Sequence, residues 1–173
     1  MGREVRMVPK DWQHPKDATG EFIPLLGGDY RARADEWCEQ LRWWMDGDTH
    51  KIEYFDECNA KKPINSMERY IEFAGHPPQQ KYYMPLWLNA PADHMMMYED
   101  TSEGTPISPA MPTAEALADW LFENEASAFG GATASRDAWL SMIRRGFSVG
   151  LVIRGEVMES GVAFSRRIDE EKP

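Results

Sequence analysis

The chain of 173 residues has little cysteine, no long apolar run and, over about a third of its length, no basic side chain. Two cysteines, Cys38 and Cys58, are too few for a disulfide framework, so we expect both thiols to be reduced and structural, with Cys38 on the apolar face of a helix. The apolar runs are far shorter than the ~20 residues of a membrane span, and charges near the N-terminus replace the apolar core of a secretory signal. These absences predict a cytosolic protein with no membrane partner.

Sequence motifs of known chemistry are also missing. The four histidines, His14, His50, His76 and His94, lack the spacing of metal ligands, and no phosphate-binding glycine loop or serine-nucleophile motif occurs. We therefore expect no cofactor, no metal, no catalytic residue and no enzymatic activity. The alternative is a metal-dependent hydrolase built from dispersed Asp and Glu side chains, which composition alone leaves open.

What the chain does contain predicts an α+β fold. Apolar residues at 42%, including 12% aromatic, suffice for one core, and the length suits a single domain over residues 1–173. Apolar spacing and capping residues predict about four helices: 30–45, one capped by Asn65 and Glu68 and ending at Gly75, 113–124 and 135–145. Strands are predicted at 3–8, 51–55, 149–153 and 156–158, the last two as a C-terminal hairpin in a small antiparallel sheet. Proline-rich residues 76–112 predict a long irregular loop, and residues 165–173 a disordered tail.

The charge distribution is the most uneven feature of the sequence. The formal net charge is -10, and no Lys or Arg occurs between Lys81 and Arg136. Helical spacing places Glu115, Asp119 and Glu123, hereafter the acidic row, on one exposed face of the third helix. The remaining candidates lie in the preceding loop, namely Asp93, Glu99, Asp100 and Glu103. We expect these seven carboxylates to form a partner-binding surface, and a merely solvated acidic face is the simpler alternative.

Three stretches carry a resemblance to a known group of proteins. They are Gly2–Pro9 (GREVRMVP), Tyr98–Ser108 (YEDTSEGTPIS) and Ala126–Ala134 (ASAFGGATA). Each resembles a sequence segment that recurs in uncharacterised proteins of tailed bacteriophages and prophages. The resemblance implies expression in the cytoplasm of a bacterial host and an accessory protein that acts on host or phage machinery. It brings no catalytic residue.

Together these observations favour a non-enzymatic phage accessory protein that binds a host or phage macromolecule through its acidic surface. The partner would be a protein with a basic surface, and an inhibitor of a host nucleic-acid-handling or defence complex is one such case. The net charge argues against direct binding of nucleic acid. The second hypothesis is a virion structural or assembly protein whose proline-rich loop packs against a neighbouring subunit, and the hydrolase is the third.

Overall fold

A computed structural model describes residues 2–52, 66–99, 104–155 and 157–170 of the chain. The chain divides into two compact units, which are Met1–Gly27 with Pro85–Pro173 (unit 1) and Gly28–Met84 (unit 2). The described residues combine helices with small antiparallel sheets, which confirms the predicted α+β class. The expectation that residues 1–173 form one domain stays a prediction.

The regular elements follow one another as predicted over much of the chain. In order they are β1 (Arg3–Val8), α1 (Tyr30–Asp46), α2 (Met67–Ala74), β2 (His94–Glu99), α3 (Ala114–Glu123), α4 (Arg136–Arg145), β3 (Phe147–Ser148), β4 (Leu151–Arg154), β5 (Val157–Ser160) and α5 (Gly161–Glu170). Short 3-10 helices cover Thr49–Lys51 and Gln80–Tyr82. The predicted strand 51–55 therefore begins in a 3-10 turn, and its residues from 53 onward lie outside the described part of the chain.

Side-chain caps begin the helices because the first backbone N–H groups have no partner inside the helix. Asp29, Thr113 and Ser135 accept these hydrogen bonds at the starts of α1, α3 and α4, as predicted. At α2 the cap is Ser66, whose hydroxyl accepts from the Arg69 N–H at 3.4 Å. Asn65, the predicted cap, lies outside the described residues.

Unit 1 contains a three-stranded antiparallel sheet with β1 in the centre, in the order β2-β1-β3. The register places Arg3 opposite Glu99 and Val8 opposite His94. Strand β2 corrects the sequence analysis, which expected irregular structure over 76–112. Met97 packs into the core on one face, while Met96 and Tyr98 are buried on the other. Because both faces of this strand are covered, its sequence lacks the alternation that normally reveals a strand.

The core of unit 1 lies between β2, α3, α4 and α5. Its fully buried members include Met97, Leu117, Leu121, Trp139, Met142 and Val162. The apolar stripes of α3 and α4 face this core, as the three-and-four residue spacing predicted. Burial of each large side chain contributes about 1.5–3 kcal/mol to stability, so this cluster is the main source of cohesion in the unit.

The C-terminal part combines a confirmed hairpin with a helix that was not predicted. Strands β4 and β5 pair antiparallel, with Ile153 opposite Met158. Helix α5 then covers positions expected to belong to a disordered tail. Its Ser165 is buried and donates a hydrogen bond to the Gly161 carbonyl oxygen at 2.9 Å. This helix starts at a glycine because an added Cβ at Gly161 would lie 1.9 Å from the Val149 carbonyl oxygen.

Unit 2 is built on α1 and α2, whose aromatic side chains pack together. Trp44 and Tyr70 are buried, and the Tyr70 hydroxyl donates to the Trp37 carbonyl oxygen at 3.2 Å. Cys38 corrects the sequence analysis, because this free cysteine is exposed. It lies one residue after Trp37, and consecutive helical residues point about 100° apart, so it falls beyond the edge of the buried stripe. Cys58 lies outside the described residues.

Candidate functional site

Two carboxylates of the acidic row face arginines of the next helix. Glu115 accepts a hydrogen bond from Arg144 at 3.2 Å, and Asp119 forms an ion pair with Arg136. All four side chains are between 41% and 64% exposed, so water screens both pairs. The acidic stretch of the sequence is therefore locally compensated by the basic residues that follow it along the chain.

The surroundings of these pairs keep their members ionised. A hydrogen bond from its own backbone N–H and one from Arg144 lower the pKa of Glu115. A hydrogen bond to Asp119 raises the pKa of Arg136. The groups are charged at neutral pH, but each negative charge is matched by a positive one.

Glu123, the third member of the acidic row, is exposed at the end of α3. The structure records no ion pair to it from any residue within the described ranges. Asp119 and Glu123 therefore have different electrostatic surroundings, although the helical spacing places them on one face. Among the residues that the structure describes, the acidic row therefore has one carboxylate without an ion-pair partner rather than three.

The two loop carboxylates that the structure describes, Asp93 and Glu99, have different surroundings. Asp93 is exposed and paired with His94 at 2.7 Å, and this hydrogen bond lowers the pKa of Asp93. Glu99 is only 14% exposed and pairs with the buried Arg3 at 3.0 Å. Asp100 and Glu103 lie outside the described residues. Glu99 therefore forms an ion pair with Arg3 of β1 instead of facing a binding partner. Its position in the sequence did not indicate this contact.

The three stretches quoted for the phage resemblance meet at Arg3. The Arg3 guanidinium bonds Glu99 of the second stretch and donates two hydrogen bonds, 3.0 and 2.9 Å long, to the Ser127 carbonyl oxygen of the third. Arg3 itself belongs to the first stretch and is only 3% exposed. In this chain, the hydrogen bonds of Arg3 therefore hold the three stretches together beside the sheet.

A second buried polar cluster surrounds the Tyr98 hydroxyl. Trp12 donates to this oxygen at 3.1 Å, and His14 Nδ1 lies 3.1 Å from it. His14 Nε2 lies 2.7 Å from the Ile23 carbonyl oxygen, which can only accept, so Nε2 carries the proton and Nδ1 is an acceptor. The single proton of the Tyr98 hydroxyl faces two acceptors, His14 Nδ1 and Met96 Sδ, the latter at 3.4 Å. The Arg6 guanidinium lies 4.4 Å from the centre of the Tyr98 ring. Burial lowers the pKa of His14 and raises that of Tyr98, so both side chains are neutral at neutral pH.

Unit 2 contains an open cleft of about 510 Å³. Aromatic side chains form much of its lining, namely Trp37, Tyr70, Phe73 and Tyr83. Trp37 Nε1 already donates to the Gly75 carbonyl oxygen at 3.2 Å, and the Tyr70 hydroxyl is bonded within the unit. Polar side chains line the rest of the cleft, namely Arg33, Glu36, Gln40 and His76, so its lining is mixed rather than apolar.

The surface that sequence analysis missed lies around the C-terminal hairpin. Five large apolar side chains within twelve residues are 51% to 66% exposed: Phe147, Val149, Ile153, Val157 and Met158. Ile153 and Met158 lie opposite each other on neighbouring strands and therefore on the same face of the hairpin, and we call this pair the apolar hairpin patch. Val157 is the neighbour of Met158 along β5 and points to the other face. The sequence predicted the hairpin, but the alternation within it did not tell which face would be covered.

Metal-ligand clusters and membrane-spanning helices are absent from the part of the chain that the structure describes. Within residues 2–52, 66–99, 104–155 and 157–170, no three His, Cys, Asp or Glu side chains gather in the manner of metal ligands. None of the helices in these ranges has the length and apolar character needed to cross a membrane. Comparisons with protein-family models, curated proteins and solved structures found no match for this chain.

Proposed function

We propose that the protein is a non-enzymatic accessory protein of a tailed bacteriophage that acts in the host cytoplasm by binding another protein. The observation that supports this most strongly is the apolar hairpin patch, in which Ile153 and Met158 are 63% and 66% exposed. Exposed apolar side chains that lie together on one face of a protein can mark an interaction surface. Covering them stabilises a complex by roughly 25 cal/mol per Å² of apolar area removed from water.

The patch also favours the assembly role as a second candidate function. A virion or assembly protein contacts neighbouring subunits, and apolar surface without charge is typical of the centre of such interfaces. An inhibitor of a host complex is a further function of the same class. Both candidates place the working surface on the hairpin, and the identity of the bound protein separates them.

The acidic surface remains a contributor to the proposal in a reduced form. Glu123 has no ion-pair partner within the described part of the chain, and the exposed pairs of Glu115 and Asp119 can exchange their arginines for basic groups of a partner. A basic partner would therefore gain association rate and orientation from this region rather than most of its affinity.

The test compares patch variants of the tagged full chain produced in phage-infected bacteria. Ile153→Lys and Met158→Lys each place a charge in the patch, while Leu88→Lys makes the same change at a residue that is 76% exposed elsewhere in unit 1. We expect the co-purifying protein to be lost with both patch variants and retained with Leu88→Lys. Equal recovery of the same protein with all three variants would overturn the proposal.

A further inference from the structure

Residues 13–24, which we call the His14 flap, lie against Tyr98 on the face of the β1–β2 sheet that is opposite the core. A backbone hydrogen bond from the Ile23 N–H to the Pro15 carbonyl oxygen, 3.0 Å long, joins the two ends of the flap. Within the part of the chain that the structure describes, the hydrogen bond recorded between the flap and the sheet is the one between His14 and Tyr98. Attachment of the flap to the sheet therefore depends on a titratable side chain.

The His14 imidazole makes two contacts, one with each of its ring nitrogens. Nε2 donates to the Ile23 carbonyl oxygen at 2.7 Å and so links the two ends of the flap a second time. Nδ1 lies 3.1 Å from the Tyr98 hydroxyl of β2 and so attaches the flap to the sheet. The side chain is 6% exposed. Both contacts suit the neutral ring, because one nitrogen donates and the other accepts.

The charged groups nearest to this ring are positive. Burial and, to a smaller extent, the positive charge of Arg6 on β1 lower the pKa of His14. The charge of Glu4 is already paired with Arg6 at 2.9 Å. Within the flap, Lys16 Nζ lies 4.7 Å from the centre of the Phe22 ring, which in turn lies 5.5 Å from the His14 ring. No ion pair between His14 and a carboxylate is recorded among the described residues.

We infer that acid releases the His14 flap, because the neutral imidazole holds it on β2 and the protonated imidazole does not. A proton on Nδ1 turns this acceptor into a donor. The Tyr98 hydroxyl must then direct its own proton to Met96 Sδ, a weak acceptor 3.4 Å away. The imidazolium would also be buried near Arg6 without a carboxylate of its own, which is costly. Opening places the charge in water and uncovers Tyr98, a form of regulation that goes beyond the proposed binding function.

The size of the effect follows from the linkage between protonation and opening. In the open flap the ring is exposed to water and has its ordinary pKa of 6.5. Each pH unit below this value therefore favours opening by about tenfold, until the closed form itself takes up the proton. The flap contributes no residue to the main core of unit 1, so it can open while α3 and α4 stay folded.

Amide hydrogen exchange of the full chain tests the inference from neutral to mildly acidic pH. The reporter is the Ile23 N–H, and its exchange is expressed as a protection factor, which removes the pH dependence of the exchange chemistry. We expect this protection to fall about tenfold per pH unit below 6.5. Low concentrations of urea should change it little, because local opening exposes little surface. Amides of α3 and α4 should stay better protected and respond strongly to urea.

Two matched variants assign the effect to one ring. His14→Gln removes the titrating group, whereas His76→Gln makes the same change at an exposed histidine of unit 2. The pH dependence of Ile23 protection should disappear in the first variant and persist in the second. Asp17 of the flap does not imitate this effect, since hydrogen bonds from Thr19 lower its pKa and it titrates at more acidic pH.

The inference is overturned if His14→Gln keeps the full pH dependence. It is also overturned if the Ile23 amide has the same protection and the same urea response as the amides of α4, since the flap would then open only when the core unfolds.

A titration of the wild-type chain followed by nuclear magnetic resonance keeps the test decisive if His14→Gln fails to fold. The signals of the His14 ring should titrate with a midpoint below 6.5, over the same pH range in which the Ile23 amide loses protection. A His14 ring that takes up its proton while the Ile23 amide stays fully protected would show that the closed flap accommodates the charge, and the inference would fall.

Discussion

The α3–α4 pair and the β4–β5 hairpin lie in the same unit and are both rich in apolar side chains, yet these side chains have opposite surroundings. Leu121 and Trp139 of the helix pair have no exposed surface. Ile153 and Met158 of the hairpin are each about two-thirds exposed. The two helices cover each other and pack on β2, whereas nothing within the described residues covers the outer face of the hairpin.

Apolar periodicity therefore predicts which side chains share one face of an element. It does not predict which other element or molecule buries that face. In the helix pair, the cover is supplied by the same chain and contributes to its stability. In the hairpin, no such cover lies over Ile153 and Met158 within the described residues, and we propose that a bound protein supplies it. Substitutions in the two regions should therefore change different measured quantities, which makes the comparison testable.

The largest effect is expected in the core of unit 1. Trp139→Ala removes a side chain with no exposed surface and leaves a cavity between the helices. Large aromatic truncations of this kind cost about 3–5 kcal/mol of unfolding free energy. Urea denaturation followed by circular dichroism measures the loss. A cost below about 1 kcal/mol would contradict the assignment of this cluster as the main core.

A similar contrast is expected between two carboxylates of the predicted acidic surface. Glu99→Ala leaves the buried Arg3 without its ion-pair partner, which should cost about 3 kcal/mol of unfolding free energy. Glu115→Gln changes only an exposed pair and should leave the denaturation midpoint where it is in the wild type. The same denaturation assay compares them. Equal effects of the two substitutions would remove the distinction between structural and surface carboxylates.

The pH dependence of stability should report the buried His14. Its pKa in the folded protein is lowered from 6.5, chiefly by burial, so the unfolded chain takes up the proton first. The unfolding free energy should be highest above pH 6.5, fall as the pH drops through that value and level off below the folded pKa.

The control for this prediction is His14→Gln, which has no imidazole to titrate. Denaturation midpoints at several pH values between neutral and mildly acidic should decline in the wild type and change less in the variant. Asp93 and Glu115, whose pKa values are lowered, lose their contributions only at more acidic pH. Parallel profiles of wild type and variant would assign the pH effect to other groups.

The smallest effect on stability is expected in the apolar hairpin patch. Ile153→Ser removes apolar surface that is already exposed to water, so the unfolding free energy of the dilute chain should change by less than about 0.5 kcal/mol. Its capture of the co-purifying protein from infected bacteria should nevertheless fall. Denaturation of the purified chain and the capture assay check the two outcomes. A loss of stability as large as that of Trp139→Ala would contradict the comparison between the two regions.

Sequence reasoning succeeded where a local interaction decides the structure. Caps such as Thr113 and Ser135 act within one helical turn, and Gly47 and Gly146 end their helices with left-handed backbone. It failed at β2, where cover on both faces removed the alternation, and at α5, where a buried serine was interpreted as part of a polar tail. Of the candidate site, it identified Glu123 as exposed but could not predict the partners of Glu99, Glu115 and Asp119.

The sequence by itself determined the α+β class, the main helix limits, the hairpin and the absence of familiar catalytic motifs, because these depend on residues close together along the chain. Only the tertiary structure decided which charges are compensated and which apolar faces are covered. Those properties depend on contacts between distant positions, as when Arg144 meets Glu115 and Arg3 meets Glu99. A negatively charged stretch of sequence therefore became a partly compensated surface, while a predicted hairpin kept Ile153 and Met158 exposed on one face.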